Sequence, residues 1–264
     1  MNNITNDTSA SEKGYSDVNG IKMYYEIYGE GKPLVLIHGG GSTIQTTFGN
    51  IIPLLLKQRQ IIAMELQAHG RTGDRLTDLS FEQDANDVAT LLGNLKIEKA
   101  DFFGYSNGGQ MLIEIALRYP GLVNKLIIAS AFYKRNAAPH EFWKGFDHAT
   151  LEVMPQSLKE GFLKVNNNRK ALENMFNKDV QRMKSFKGWS EEQIQSIKAP
   201  TLIINGNNDV GSVEHAVEMY RIFPNSQLAI LPGKHGAYMG AIEFLEKGKW
   251  SQQYIVDILN DFLE

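Results

Sequence analysis

Asp101-Phe102-Phe103-Gly104-Tyr105-Ser106-Asn107-Gly108-Gly109 joins a short apolar run, which reads as a buried strand, to the start of a helix. From Asn107 to Tyr119 the residues Met111, Leu112, Ile115 and Ala116 recur at helical spacing, so Ser106 falls at the turn between the two elements. Gly104, Ser106 and Gly108 make a G-x-S-x-G pattern. In such a turn the serine takes a strained backbone, and neighbours without Cβ let strand and helix approach closely. The hydroxyl is thereby lifted clear of the sheet. The amide N–H of Asn107 opens the helix, where amide and helix dipole both favour a developing negative charge. An ordinary strand-to-helix turn would also satisfy so short a pattern. An activated serine needs in addition a base, an acid that orients it and a second oxyanion donor.

Candidates for each follow other strand-like runs. Upstream, Leu34-Val35-Leu36-Ile37 runs into His38-Gly39-Gly40-Gly41-Ser42, a glycine loop whose backbone can approach a substrate closely. An N–H of Gly39 or Gly40 is the expected partner of Asn107 in an oxyanion hole. Downstream, Thr201 to Asn205 leads into Gly206-Asn207-Asn208-Asp209-Val210, which places the Asp209 carboxylate at a strand end as the orienting acid. Gln227 to Leu231 leads into Pro232-Gly233-Lys234-His235-Gly236, with His235 as the general base. In open parallel sheets ligands bind at the carboxyl ends of strands, and right-handed crossovers keep those ends on one edge.

The remaining elements fit one α/β domain. Tyr15 to Val18 and Ile21 to Tyr28 flank Asn19-Gly20, a type I′ hairpin signal. Ile61 to Leu66 and Lys125 to Ala129 are further strands; Ser80 to Leu92 reads as a helix with Ser80 as N-cap and Gln83 placed to complete a capping box. Val213 to Phe223 and Tyr254 to Leu263 read as helices, with His215 expected on a solvated face. His69, in a polar loop after the Ile61 strand, reads as a structural histidine. From Phe132 to Lys198 the alternation stops, and helical segments around 140–148, 157–165 and 169–186 carry Phe142, Trp143, Phe146, Phe162, Met175, Phe176, Met183 and Phe186. Most of these should pack among the helices, and a minority should face the active site. The organisation is then a tail over 1–13, a core over 14–131 and 199–264, and an inserted helical cap over 132–198.

Composition narrows the partners. The 264 residues are 42 % hydrophobic with a net charge of −3, and no dense Lys/Arg block advertises nucleic acid or an anionic membrane. No cysteine is present, which excludes disulfides and a thiol nucleophile. His140 and His148 lack metal-ligand spacing, and neither metal nor cofactor is expected. The first residues show no secretory signal, no apolar run reaches the roughly 20 residues of a membrane span, and a cytoplasmic location is the expectation.

The order Ser106, Asp209, His235 is that of the α/β-hydrolases. On His38-Gly39-Gly40-Gly41, Gly104-Tyr105-Ser106-Asn107-Gly108-Gly109, Gly206-Asn207-Asn208-Asp209 and Gly233-Lys234-His235-Gly236 the chain resembles that family from Tyr15 to its end. The resemblance implies a mostly parallel eight-stranded sheet with helices on both faces, a cap inserted after the sixth strand, and a catalytic serine. A serine at position 106, where dehalogenase-like and epoxide-hydrolase-like members carry aspartate, argues against both of those chemistries. Asn207 stands where many relatives have aspartate, and the glycine loop lacks the His-Gly-Gly-Pro-Gly form of proline iminopeptidases. The expected activity is hydrolysis of a small or medium uncharged acyl ester or lactone through an acyl-enzyme. The resemblance also permits thioesterase, carbon–carbon bond hydrolase, perhydrolase or hydroxynitrile lyase chemistry, and a slow ligand-binding or signalling role stands as the alternative outside catalysis.

Overall fold

The computed structural model describes residues 9–56, 59–245 and 252–264. The expected tail over 1–13 therefore lies mostly outside the described residues. The strands are β1 (Glu12–Val18), β2 (Ile21–Tyr28), β3 (Lys32–Ile37), β4 (Arg59–Met64), β5 (Ala100–Tyr105), β6 (Val123–Ala129), β7 (Thr201–Asn208) and β8 (Ser226–Lys234). They form one eight-stranded sheet in the order β1-β2-β4-β3-β5-β6-β7-β8. β2 runs antiparallel to both β1 and β4, and every pairing from β4 to β8 is parallel. The β1–β2 hairpin turns on Asn19 (φ 44°) and Gly20 (φ 88°), the two left-handed residues that a type I′ turn requires.

Parallel neighbours need crossovers, and these supply the helices. α1 (Ile44–Phe48) and α2 (Ile52–Leu55) join β3 to β4, α3 (Phe81–Asn94) joins β4 to β5, and α4 (Asn107–Arg118) joins β5 to β6. The Ser80 hydroxyl caps α3 by accepting the Gln83 N–H, but the Gln83 side chain donates to Asp87 instead of returning to Ser80, so only half of the capping box forms. Helices cover both faces of the sheet, which explains the unbroken apolar strands. In β3, Val35 and Ile37 enter one core layer while Leu34 and Leu36 enter the other; in β5, Phe102 parts from Phe103 and Tyr105 in the same way. Burying each such side chain contributes about 1.5–3 kcal/mol.

Between β6 and β7 come α5 (His140–Gly145), α6 (Gln156–Val165), α7 (Arg169–Ser185) and α8 (Glu191–Ser196), with 3-10 turns and no strand among the described residues. Phe162, Leu172, Met175 and Phe176 form a small core of their own, whereas Trp143, Met183 and Phe186 join the large core beside Phe132 and Ile194. α8 lies against α4 and against α9 (Val213–Ile222), so this last helix of the stretch 132–198 packs on the sheet layer. α10 (Gln252–Leu263) closes the opposite layer through Ile255, Val256 and Leu259.

One expectation is overturned. His215 is buried instead of solvated, because α9 turns its His215, Ala216 and Met219 face inward. Its ring stacks on Tyr133 with centroids 5.0 Å apart, and its Nε2 accepts the Tyr133 N–H at 3.3 Å. Burial pushes its pKa down to about 4, so the ring stays neutral.

Candidate active site

Ser106 has the backbone that the glycine pattern implied, with φ 54° and ψ −122°, and α4 starts at the next residue. Two glycines make this possible. A Cβ on Gly104 would lie 2.3 Å from the Gly108 carbonyl oxygen, and one on Gly108 would lie 2.1 Å from that of Ile37, distances no side chain can take. The parallel strands put the carboxyl ends of β5, β7 and β8 on one edge of the sheet, with β6 between β5 and β7, and Asp209 and His235 reach Ser106 across that edge. His235 Nδ1–H donates to Asp209 Oδ1 at 2.5 Å, and its Nε2 lies 3.0 Å from Ser106 Oγ, placed to accept the hydroxyl proton. This tautomer follows from the partners on each side.

Asp209 is locked from every direction. Oδ1 also accepts the Val210 N–H at 2.7 Å, while Oδ2 accepts the Gly206 N–H at 3.0 Å and the Ser130 hydroxyl at 2.6 Å. Burial alone would raise its pKa, but the His235 charge and hydrogen bond, with Ser130 and Gly206, outweigh it and hold the carboxyl below its ordinary value. For His235 burial favours the neutral ring, yet Asp209 and the nearby Glu243 charge raise its pKa above the ordinary value. Asn207, at the position where aspartate was noted in relatives, accepts the Gly233 N–H at 2.8 Å and so ties the acid turn to the histidine loop.

The glycine loop closes the other side. Gly40 and Asn107 line a cavity of about 390 Å³ together with Ser106 and His235. Gly39 sits beneath the serine instead: a Cβ there would come within 3.1 Å of Ser106 Cβ. His38 anchors the loop, donating from Nδ1 to the Gly39 carbonyl at 2.7 Å and accepting the Leu66 N–H on Nε2 at 3.0 Å. Burial pushes its pKa down to about 3, with His69 acting in the same direction, so it stays neutral and structural.

Much of the cavity wall comes from the segment between β6 and β7. Phe142, Phe146, Met154, Leu158, Phe176, Val180 and Met183 face it, against Phe132 and Val210 of the sheet edge. A larger groove of about 670 Å³, lined by Arg135, His140, Trp143 and Lys144, shares no residue with this cavity and contains none of the three reactive side chains. No group of three or more His, Asp or Glu side chains able to hold a metal occurs among the described residues. No described helix is long and apolar enough to cross a membrane.

Four polar residues in and around the site were not legible in the sequence. Ser130, directly after β6, holds both Asp209 and the Tyr238 hydroxyl, the latter at 2.7 Å; its place at a strand end next to β7 was the available signal. Asp179 of α7 reaches the glycine loop, its Oδ2 accepting the Gly41 N–H at 2.6 Å and the His69 Nε2–H at 2.9 Å. Arg182 pairs with Asp179 Oδ1 and, at 2.7 Å, with Asp84 of α3. Burial opposes the charge on Asp179, but His69, Arg182 and the Gly41 N–H overcome it and keep the pKa well below the carboxylate range. Glu243, in a 3-10 turn over Ile242–Phe244, lines the cavity and accepts the Tyr105 hydroxyl at 2.8 Å.

An eight-stranded sheet of this order, with a serine elbow, acid and histidine after β5, β7 and β8, defines an α/β-hydrolase. The chain belongs to that family: the α/β-hydrolase fold model matches residues 32–172, just over half of its length. It is 27 % identical over 248 residues to the human serine hydrolase BPHL, covering 84 % of this chain and 79 % of that protein. Uncharacterized mycobacterial proteins, among them one from Mycobacterium tuberculosis, are 33 % identical over only 117 residues; that match covers 44 % of this chain, which spans 34 % of their length. Among solved structures, the enol-lactonase of Burkholderia xenovorans LB400 superposes with a TM-score of 0.76 at 17 % identity, covering 95 % of this chain and 99 % of its own.

Proposed function

We propose that the protein is a serine hydrolase that cleaves a small or medium carboxylic ester or lactone with an uncharged acyl part through an acyl-enzyme on Ser106. The observation that carries this reading is the unbroken relay from Asp209 through His235 to Ser106 Oγ at the wall of an apolar cavity. His235 takes the serine proton as Oγ attacks the carbonyl carbon, and Asp209 stabilises the imidazolium that forms. The N–H groups of Asn107 and Gly40 receive the oxyanion; losing one such donor typically costs about 100- to 1000-fold in rate. His235 then hands its proton to the leaving oxygen, and water, deprotonated by the same ring, releases the acid.

The cavity wall favours an acyl group without negative charge. Among the described residues it contains no Lys or Arg, and its only ionisable side chains besides His235 are the carboxylates Asp179 and Glu243. An anionic group on the substrate would find carboxylates and no cation in that wall. The enol-lactonase neighbour agrees with a lactone or ester substrate but shares only the fold at this identity. Treatment with a fluorophosphonate should place one adduct on Ser106, with none on Ser106→Ala and greatly slowed labelling of His235→Ala, and a panel of esters, lactones and thioesters should show Ser106-dependent turnover. Wild-type ester turnover by Ser106→Ala would refute the reading.

A further inference from the structure

The two carboxylates in the cavity wall are not alike. Asp179 is matched on all sides by His69, Arg182 and the Gly41 N–H. Glu243 has only neutral partners, the Tyr105 hydroxyl on Oε1 and its own backbone N–H, and its other oxygen, Oε2, is buried with no hydrogen-bond partner among the described residues. A buried carboxylate oxygen without a donor is costly, by more than an ordinary unmade hydrogen bond. Such a group in a ligand cavity is explained when the ligand supplies the donor. Burial raises the Glu243 pKa, and the His235 charge, the Tyr105 hydroxyl and the backbone N–H of Glu243 itself pull it back only in part.

Position says which part of a substrate would meet it. Tyr105 links Glu243 to His235, its ring centroid lying 5.0 Å from that of the imidazole, and Phe244 stands edge-on to the same ring at 6.0 Å. Glu243 thus lies on the histidine side of the cavity. In acyl transfer that side receives the leaving alcohol, because His235 protonates the departing oxygen. We propose that Glu243 is a specificity residue whose carboxylate takes a protonated amine carried by the leaving alcohol of the substrate. This inference rests on the acyl-transfer reading above and narrows it: the acyl part is uncharged and the alcohol part is cationic. An ammonium fits better than a neutral hydroxyl because a charge-assisted hydrogen bond is roughly twice as strong as a neutral one.

The test uses two esters of nearly equal shape, 4-(aminomethyl)phenyl butyrate and 4-ethylphenyl butyrate, at neutral pH. The wild-type ratio of kcat/KM should favour the amine by about 10-fold or more, and the ratio should collapse toward one in Glu243→Gln. Glu243→Asp, which keeps the charge on a shorter stem, should retain part of the preference and guards against a folding artefact of the amide. Equal ratios in wild type and Glu243→Gln would overturn the proposal. If neither ester is hydrolysed, the acyl-transfer reading is what suffers, and calorimetric titration with 4-(aminomethyl)phenol and 4-ethylphenol decides the subsite by itself. Tighter binding of the amine that Glu243→Gln abolishes supports it; equal affinities refute it.

Discussion

The relay at the sheet edge and the charged cluster under α7 are both buried, polar and hydrogen-bonded, yet they are built to different ends. In the relay, Ser106, Asp209 and His235 come from the ends of β5, β7 and β8, and one partner, Ser106 Oγ, is left facing a cavity. In the cluster, Asp84, Arg182, Asp179 and His69 pair with one another across α3, α7 and the loop after β4, and the last contact is a backbone N–H, that of Gly41. The first arrangement holds a proton acceptor in reach of a nucleophile. The second holds a helix against the glycine loop. On the acyl-transfer proposal, burying charge serves reaction in one place and position in the other, and the two should separate under mutation.

The sharpest separation comes from the acid. Asp209→Asn should keep the fold and lower kcat by about 10⁴-fold, because the amide presents a donor to His235 Nδ1 and favours the wrong tautomer. Steady-state kinetics together with an unchanged melting temperature would establish the effect as catalytic. Asp179→Ala should do the reverse. Removing it leaves Arg182 and His69 buried with fewer counter-charges, at a cost of about 3–5 kcal/mol in stability, read by denaturant unfolding. Its effect on kcat should be smaller than that of Asp209→Asn. A larger loss of kcat than of stability would mean that Asp179 belongs to the reaction.

Proton linkage gives a third separation. His69 points both ring nitrogens at acceptors, Gln67 O and Asp179 Oδ2, so the charged ring satisfies both; burial opposes this, but Asp179 outweighs it and raises the pKa. Its contribution to stability is therefore complete below the unfolded value of about 6.5 and is lost as pH rises through the folded value. The stability difference between wild type and His69→Gln should shrink as pH rises above about 6.5. Catalysis runs the other way, since His235 must be neutral to accept the Ser106 proton. With its pKa raised, kcat/KM should increase with pH through a midpoint above about 6.5. If activity and the His69 contribution moved in the same direction, the two regions would not be independent.

The smallest effect belongs to Asn207. Asn207→Ala removes one solvent-exposed hydrogen bond to Gly233 and should cost no more than about 1 kcal/mol. Calorimetry should detect a small drop in melting temperature, and kcat should fall only modestly as the His235 loop loosens.

The sheet was legible because its strands are buried on both faces. Leu34 to Ile37, Phe102 to Tyr105 and Thr201 to Asn205 stand out as apolar runs, and the residues that follow a run in a parallel sheet must lie on one edge. That is why Ser106, Asp209 and His235 could be picked out by residue type together with position after a strand-like run. His215 misled because a lone histidine on an amphipathic helix reads as polar, while the packing of α9 puts it against Tyr133. The helices between β6 and β7 were legible as helices, but their periodicity does not say that Trp143 and Phe186 join the large core while Phe162 and Met175 form a separate one.

By itself, then, the chain specified an α/β-hydrolase sheet, a serine elbow built on Gly104 and Gly108, and the order of acid and base, because these depend on local pattern and on strand ends. Only the tertiary structure put Gly40 and Gly41, and not Gly39, in the cavity wall, set Ser130 behind Asp209, brought Asp179 138 residues along the chain to Gly41, and left Glu243 Oε2 without a donor among the described residues. Those outcomes depend on how helices and turns dock, and the free energy of docking is shared among many distant side chains, so no short stretch of sequence records it.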